Sequence, residues 1–188
     1  MEPHGFNKLL KTRAVPHIHE KIILSLDYDT FIQCEGVCET WDELLAAKSF
    51  RKKAYSVYGK QMDIELTTST ECGDIDRVKL LLDYGVDPNA SISNTLTGGL
   101  TPLHYGLVFK APLEIFQLLL ERGADPRREL ILHAAVVYGD INVVKLLLDY
   151  GGYTDRADSA GQTPRWIAKA MEKTDIVKLL QDAGAAGP

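Results

Sequence analysis

The sequence predicts an all-α protein, a short unit of three helices followed by a solenoid of about four helix-pair repeats. Two observations predict the solenoid: four segments of similar sequence recur, and each carries apolar residues on one helical face before a glycine. A third predicts the N-terminal unit. From Leu26 to Leu45 the chain reads "LDYDTFIQCEGVCETWDELL", an apolar stripe at helical spacing.

The first helix of that unit is read from "HIHEKIILSL", where Ile18, Ile22 and Ile23 share one face. Asp27 or Asp29 then caps the next helix. In "TFIQCEGVCETWDELL" the residues Phe31, Cys34, Val37, Cys38, Trp41, Leu44 and Leu45 fall three or four apart, interrupted near Gly36. Three short helices bury little surface alone, so this unit needs another surface to lie against.

The recurring segments are "RVKLLLDYGVDPNA" from Arg77, "IFQLLLERGADPR" from Ile115, "VVKLLLDYGGYTD" from Val143 and "IVKLLQDAGAA" from Ile176. Their glycines, Gly85, Gly123, Gly151 and Gly184, stand 38, 28 and 33 residues apart and are expected to end each helix in a left-handed conformation. Upstream of two of them, "TPLHYG" from Thr101 and "TPRWIA" from Thr163 place Pro in a first helical turn and Thr where it can cap.

Together these residues resemble the ankyrin repeat, a β-turn plus two antiparallel helices of about 33 residues. The resemblance covers residues 62–186, divided at about 62–90, 91–127, 128–155 and 156–186. The first copy reads "LTTSTECGDID" in place of the family's Leu-His-Ala-Ala stretch, and the fourth carries Arg165 and Trp166 where the family has Leu and His. Both departures suit repeats at the edge of a stack. His104 and His133 occupy a position the family uses structurally.

The resemblance implies a protein ligand on the concave surface. Carried onto this chain, the variable positions are Thr68, Glu71 and Cys72, then Tyr105, Val108 and Phe109, then Ala134, Val137 and Tyr138. Tyr105, Phe109, Val137 and Tyr138 are the expected substrate-binding residues, because aromatic anchors favour protein interfaces. Val108, Val137 and Phe109 are also suited to packing between adjacent repeats.

Residues 10–58 form the expected N-terminal domain, and within it the order of residues is similar to the F-box. Pro16, Glu20, Lys21, Ile22, Ile23, Leu24, Leu26 and Asp27 match the first part of that motif, and Val37, Cys38, Trp41 and Leu44 the second. The resemblance implies docking to a Skp-family adaptor, and through it to a cullin–RING scaffold. Pro16, Ile18, Ile22, Leu26, Phe31 and Val37 would meet the adaptor, while Trp41 and Leu44 hold the unit together. Each apolar side chain buried there supplies roughly 1.5–3 kcal/mol before association costs.

Composition and charge narrow the function. Residues 1–60 carry nine Lys and Arg against eight Asp and Glu, and residues 61–188 carry twelve against eighteen. An acidic repeat region repels phosphate backbones, so no nucleic-acid partner is expected. No run approaches a membrane span and the start lacks a secretory core, so an intracellular, cytoplasmic or nuclear, location is expected. "HEKII" lacks the second His of a zinc-protease helix, and His17, His19, Cys34 and Cys38 match no standard zinc spacing. No nucleophile stands with a base, so no catalytic residue, metal or cofactor is expected. The reading is a non-catalytic substrate-recognition subunit of a cullin–RING ubiquitin ligase. Its alternative is an interaction module whose N-terminal helices only cap the repeats.

Overall fold

A computed structural model describes residues 24–32, 48–91, 99–128 and 130–185. Every element among them is helical: α1 (Tyr28–Ile32), α2 (Lys48–Cys72), α3 (Ile75–Asp83), α4 (Pro102–Phe109), α5 (Leu113–Glu121), α6 (Ile131–Tyr138), α7 (Ile141–Asp149), α8 (Pro164–Ala170) and α9 (Thr174–Ala185). The chain forms two compact units, one of residues 1–62 with 83–85 and one of residues 63–82 with 86–188.

In the first unit, Asp27 caps α1. Its carboxylate accepts from the Thr30 amide at 2.9 Å and from the Thr30 hydroxyl at 2.8 Å. These bonds hold the Asp27 carboxyl below its ordinary range, the backbone bond contributing most. Phe31, one turn on, is buried among aromatic rings: its centroid lies 4.8 Å from Tyr58, 5.8 Å from Tyr84 and 6.5 Å from Phe50. The Tyr58 hydroxyl donates to the Leu26 carbonyl at 2.8 Å, tying the approach of α1 to α2. Arg51 donates to the Asp83 carbonyl at 3.1 Å and lays its guanidinium over the Tyr84 ring.

The helix α2 runs unbroken through residues 58–62, where the sequence suggests a division between domains. A line of buried residues, Phe50, Ala54, Tyr58, Met62, Leu66 and Thr70, recurs at every fourth position, and the buried Thr67 and Ser69 widen that face toward the end of the helix. The buried Thr70 hydroxyl satisfies itself on the Leu66 carbonyl at 2.7 Å.

In the second unit, α4, α6 and α8 pack side by side, α5, α7 and α9 form the adjoining row, and each first helix packs on its own second helix. The core is aliphatic apart from Phe116, with Leu103, Leu107, Ile115, Leu119, Ile131, Val136, Val144 and Leu147 buried around it. At Gly106 the two rows approach closely. A Cβ there would lie 3.0 Å from Phe116 Cζ and 3.4 Å from Thr70 Cγ2.

Gly85, Gly123 and Gly151 adopt the left-handed conformation expected of them, with φ of 87°, 96° and 85°. Gly184 departs from that expectation and lies inside α9, whose helical spacing continues through it. The tips after these glycines are cross-linked. Asn89 donates to the Gly123 carbonyl at 2.9 Å and accepts from the Asp125 amide at 2.8 Å. Lys173 reaches back from the fourth repeat to the Val136 and Val137 carbonyls at 2.6 and 3.0 Å, satisfying the open end of α6.

Candidate functional site

Each first helix ends on a residue at the same register: Cys72 in α2, Phe109 in α4, Tyr138 in α6 and Met171 just after α8. All four are exposed, Phe109 by 49%, Tyr138 by 51% and Met171 by 44%. Side chains of this size cannot turn inward there, because the positions four residues earlier face solvent or half-buried surface as well. Val108 is 44% exposed beside Phe109, while Val137 and Ala134 are half-buried. Tyr105, also half-buried, stacks on Phe109 with centroids 6.2 Å apart and planes 6° from parallel.

The sequence-expected residues Tyr105, Phe109, Val137 and Tyr138 therefore lie on the neighbouring helices α4 and α6. Val108 is not buried between repeats. Met171 and the 52% exposed Trp166 extend the apolar character onto the fourth repeat. Sequence reasoning did not select these two as binding positions. Counting back thirteen residues from Gly184, as from Gly85 and Gly151, finds Met171 at the same register as Cys72 and Tyr138.

Thr68, Glu71 and Cys72 on α2 are exposed, with the Thr68 hydroxyl turned onto the Ile64 carbonyl. The two histidines are structural, as expected. Thr101 donates its amide to His104 Nδ1 and its hydroxyl lies 2.9 Å from the same nitrogen, so Nδ1 accepts and the ring proton sits on Nε2. His133 Nε2 donates to the Gln162 carbonyl of the next repeat at 3.0 Å. Thr163 caps α8 through the Trp166 amide. Among the described residues no group of three His, Cys, Asp or Glu could hold a metal ion, and no helix is long and apolar enough to cross a membrane.

Of the expected adaptor-facing residues, Pro16, Ile18, Ile22 and Val37 lie outside the described residues. Leu26 is half-buried. Phe31 is only 3% exposed and is enclosed by the unit's own rings, so in this arrangement it packs the core instead of facing outward.

A family model described as ankyrin repeats in three copies matches residues 113–186. The putative ankyrin repeat protein FPV223 of fowlpox virus is 30% identical in an alignment 138 residues long that covers 54% of this chain and 95% of that protein. The chain belongs to the ankyrin-repeat proteins. A putative ankyrin repeat protein of Rickettsia bellii is 27% identical over 187 residues, covering 96% of this chain and 95% of its own. The E3 ubiquitin-protein ligase Ufd4 of Drosophila melanogaster is 35% identical over 94 residues, 46% of this chain and 3% of that protein. The chain spans only 3% of the length of Ufd4, and 34% and 30% of two further curated ankyrin-repeat relatives.

Proposed function

We propose that the protein is a non-catalytic substrate-recognition subunit of a cullin–RING ubiquitin ligase. The ankyrin stack holds a protein substrate through Tyr105, Phe109, Val137 and Tyr138, and the N-terminal segment docks a Skp-family adaptor. The observation that carries the binding half is the row of exposed apolar side chains, of which Phe109 and Tyr138 are about half exposed. Aromatic surface left open on a rigid scaffold is the usual mark of a protein-binding patch. The ligase half rests on the register of Pro16, Glu20–Leu24, Leu26, Val37, Cys38, Trp41 and Leu44 with the F-box. The similarity of a repeat stretch to the E3 ubiquitin-protein ligase Ufd4 is in keeping with it. Tethering then does the chemical work: a substrate held beside the charged enzyme reacts at raised effective concentration.

A second reading is favoured by one observation. Phe31 is packed against Tyr58 and Tyr84, as it would be if the N-terminal helices served only to cap. Co-expression of the full chain with a Skp-type adaptor separates the two. A stoichiometric complex on size exclusion, weakened by Leu26→Asp, is the expected result. Absence of any complex removes the ligase role and leaves an ankyrin interaction module.

A further inference from the structure

A cleft of about 320 Å³ opens between the second and third repeats. Its floor is the buried Leu107, Phe116 and Val143, and its rim the exposed Lys110, Tyr138 and Asp140. The turn that borders it is peculiar to the second repeat. Gly123 follows Phe109 by 14 residues, whereas Gly151 follows Tyr138 and Gly85 follows Cys72 by 13. The added length falls in Lys110–Ala111–Pro112, and Ala111 lines the cleft.

Lys110 is unusual in its backbone as well. It sits in the left-handed region at φ 57° and ψ 46°, at a position where the first repeat has Gly73 at φ 76°. A β-carbon is disfavoured there. The side chain thus held at the rim makes no hydrogen bond or ion pair among the described residues. Asp140 differs, since its Oδ1 accepts from the Asn142 and Val143 amides at 2.8 and 3.0 Å and its charge faces the N-terminus of α7. The unanswered charge of the cleft is therefore the Lys110 cation, above an apolar floor.

We propose that this cleft receives an apolar side chain of a protein partner with a carboxylate close beside it, the side chain settling over Leu107, Phe116 and Val143 and the carboxylate meeting Lys110. The inference rests on the binding reading above and names the chemistry of the segment that surface selects. A cleft of this volume suits one large side chain, and charge complementarity chooses the acidic neighbour.

The test pans a phage-displayed library of random dodecapeptides on the immobilised full chain, then measures the selected peptides on variants. The expected selection is enriched in Leu, Ile, Phe or Trp with Asp or Glu within a few positions. Those peptides bind Lys110→Glu about tenfold or more weakly, and Lys110→Gly more weakly than wild type even though its thermal midpoint rises. Falling affinity with rising stability is a pairing that a purely structural lysine would not give. Peptides that lack an acid, or that bind Lys110→Glu as well as wild type, overturn this inference. If those peptides are nevertheless lost on Phe109→Ala with Tyr138→Ala, the binding surface stands without it. A library that yields no binder overturns both.

Discussion

Glu172 repeats the backbone strain of Lys110 without lining its cleft: its φ is 57° in the turn between α8 and α9. A non-glycine residue in that region costs about 1–2 kcal/mol, part of which glycine returns through its larger unfolded entropy. Glu172→Gly is therefore expected to stabilise the protein by about 0.5–1 kcal/mol, read as a rise of roughly 2–3 °C in thermal midpoint. An unchanged or lower midpoint would mean that Glu172 makes up the strain through contacts of its own. Neither left-handed residue was legible beforehand, because Lys and Glu carry no signal for positive φ. The candidate binding side chains were more legible. Phe109 and Tyr138 stand where register with the repeat placed them, and both are open to solvent. The burial of Phe31 was less legible. Spacing shows that an aromatic residue lies on an apolar face, but not which rings will cover it.

At the scale of elements, the closeness of α4 to its neighbours depends on Gly106. Gly106→Ala would push a methyl group to 3.0 Å from Phe116 Cζ and 3.1 Å from Phe116 Cε1, both on a ring with almost no exposure. Better helix propensity at this position is worth about 1 kcal/mol, and overpacking costs about 1–3 kcal/mol. Net destabilisation by up to about 2 kcal/mol is expected in urea denaturation. A stabilised variant would show that Phe116 can step aside. The helix pairs themselves were readable from apolar periodicity, capping Thr101 and Thr163, and the glycine stops. The long helix α2 was not. "KSFRKKAYSVYGKQMDIELTTSTEC" is mostly polar, and its buried face mixes Phe50, Tyr58, Met62 and Leu66 with Ala54, Thr67, Ser69 and Thr70, so little apolar periodicity shows in it. Its only interior breaker is Gly59, which a helix tolerates at about 1 kcal/mol.

Over the whole molecule, stability in a stacked array is nearly a sum of repeat and nearest-neighbour terms. The Lys173 ammonium bridges two such units by filling the carbonyls at the end of α6. Lys173→Met keeps the aliphatic stem and removes those bonds, at about 1.5–3 kcal/mol for charge-assisted contacts. Hydrogen exchange is expected to quicken in α8 and α9 and to stay unchanged in α4 and α5. Uniform acceleration would instead mark the array as one cooperative block. The fourth repeat keeps the register of its neighbours but changes what stands in it. Arg165 and Lys169 are exposed where Leu103 with Leu132, and Leu107 with Val136, are buried.

The octapeptide VKLLLDYG occurs twice, at residues 78–85 and 144–151. Its tyrosine is 7% exposed in the first copy, as Tyr84 in the ring cluster, and 41% exposed in the second, as Tyr150. Two phenols with the same covalent neighbours thus differ only in what covers them. A tyrosine-directed reagent meets both in one tube, and the ratio of their labelling reports whether the cluster around Phe31 is closed. The chain carries its own reference standard for the integrity of its N-terminal unit.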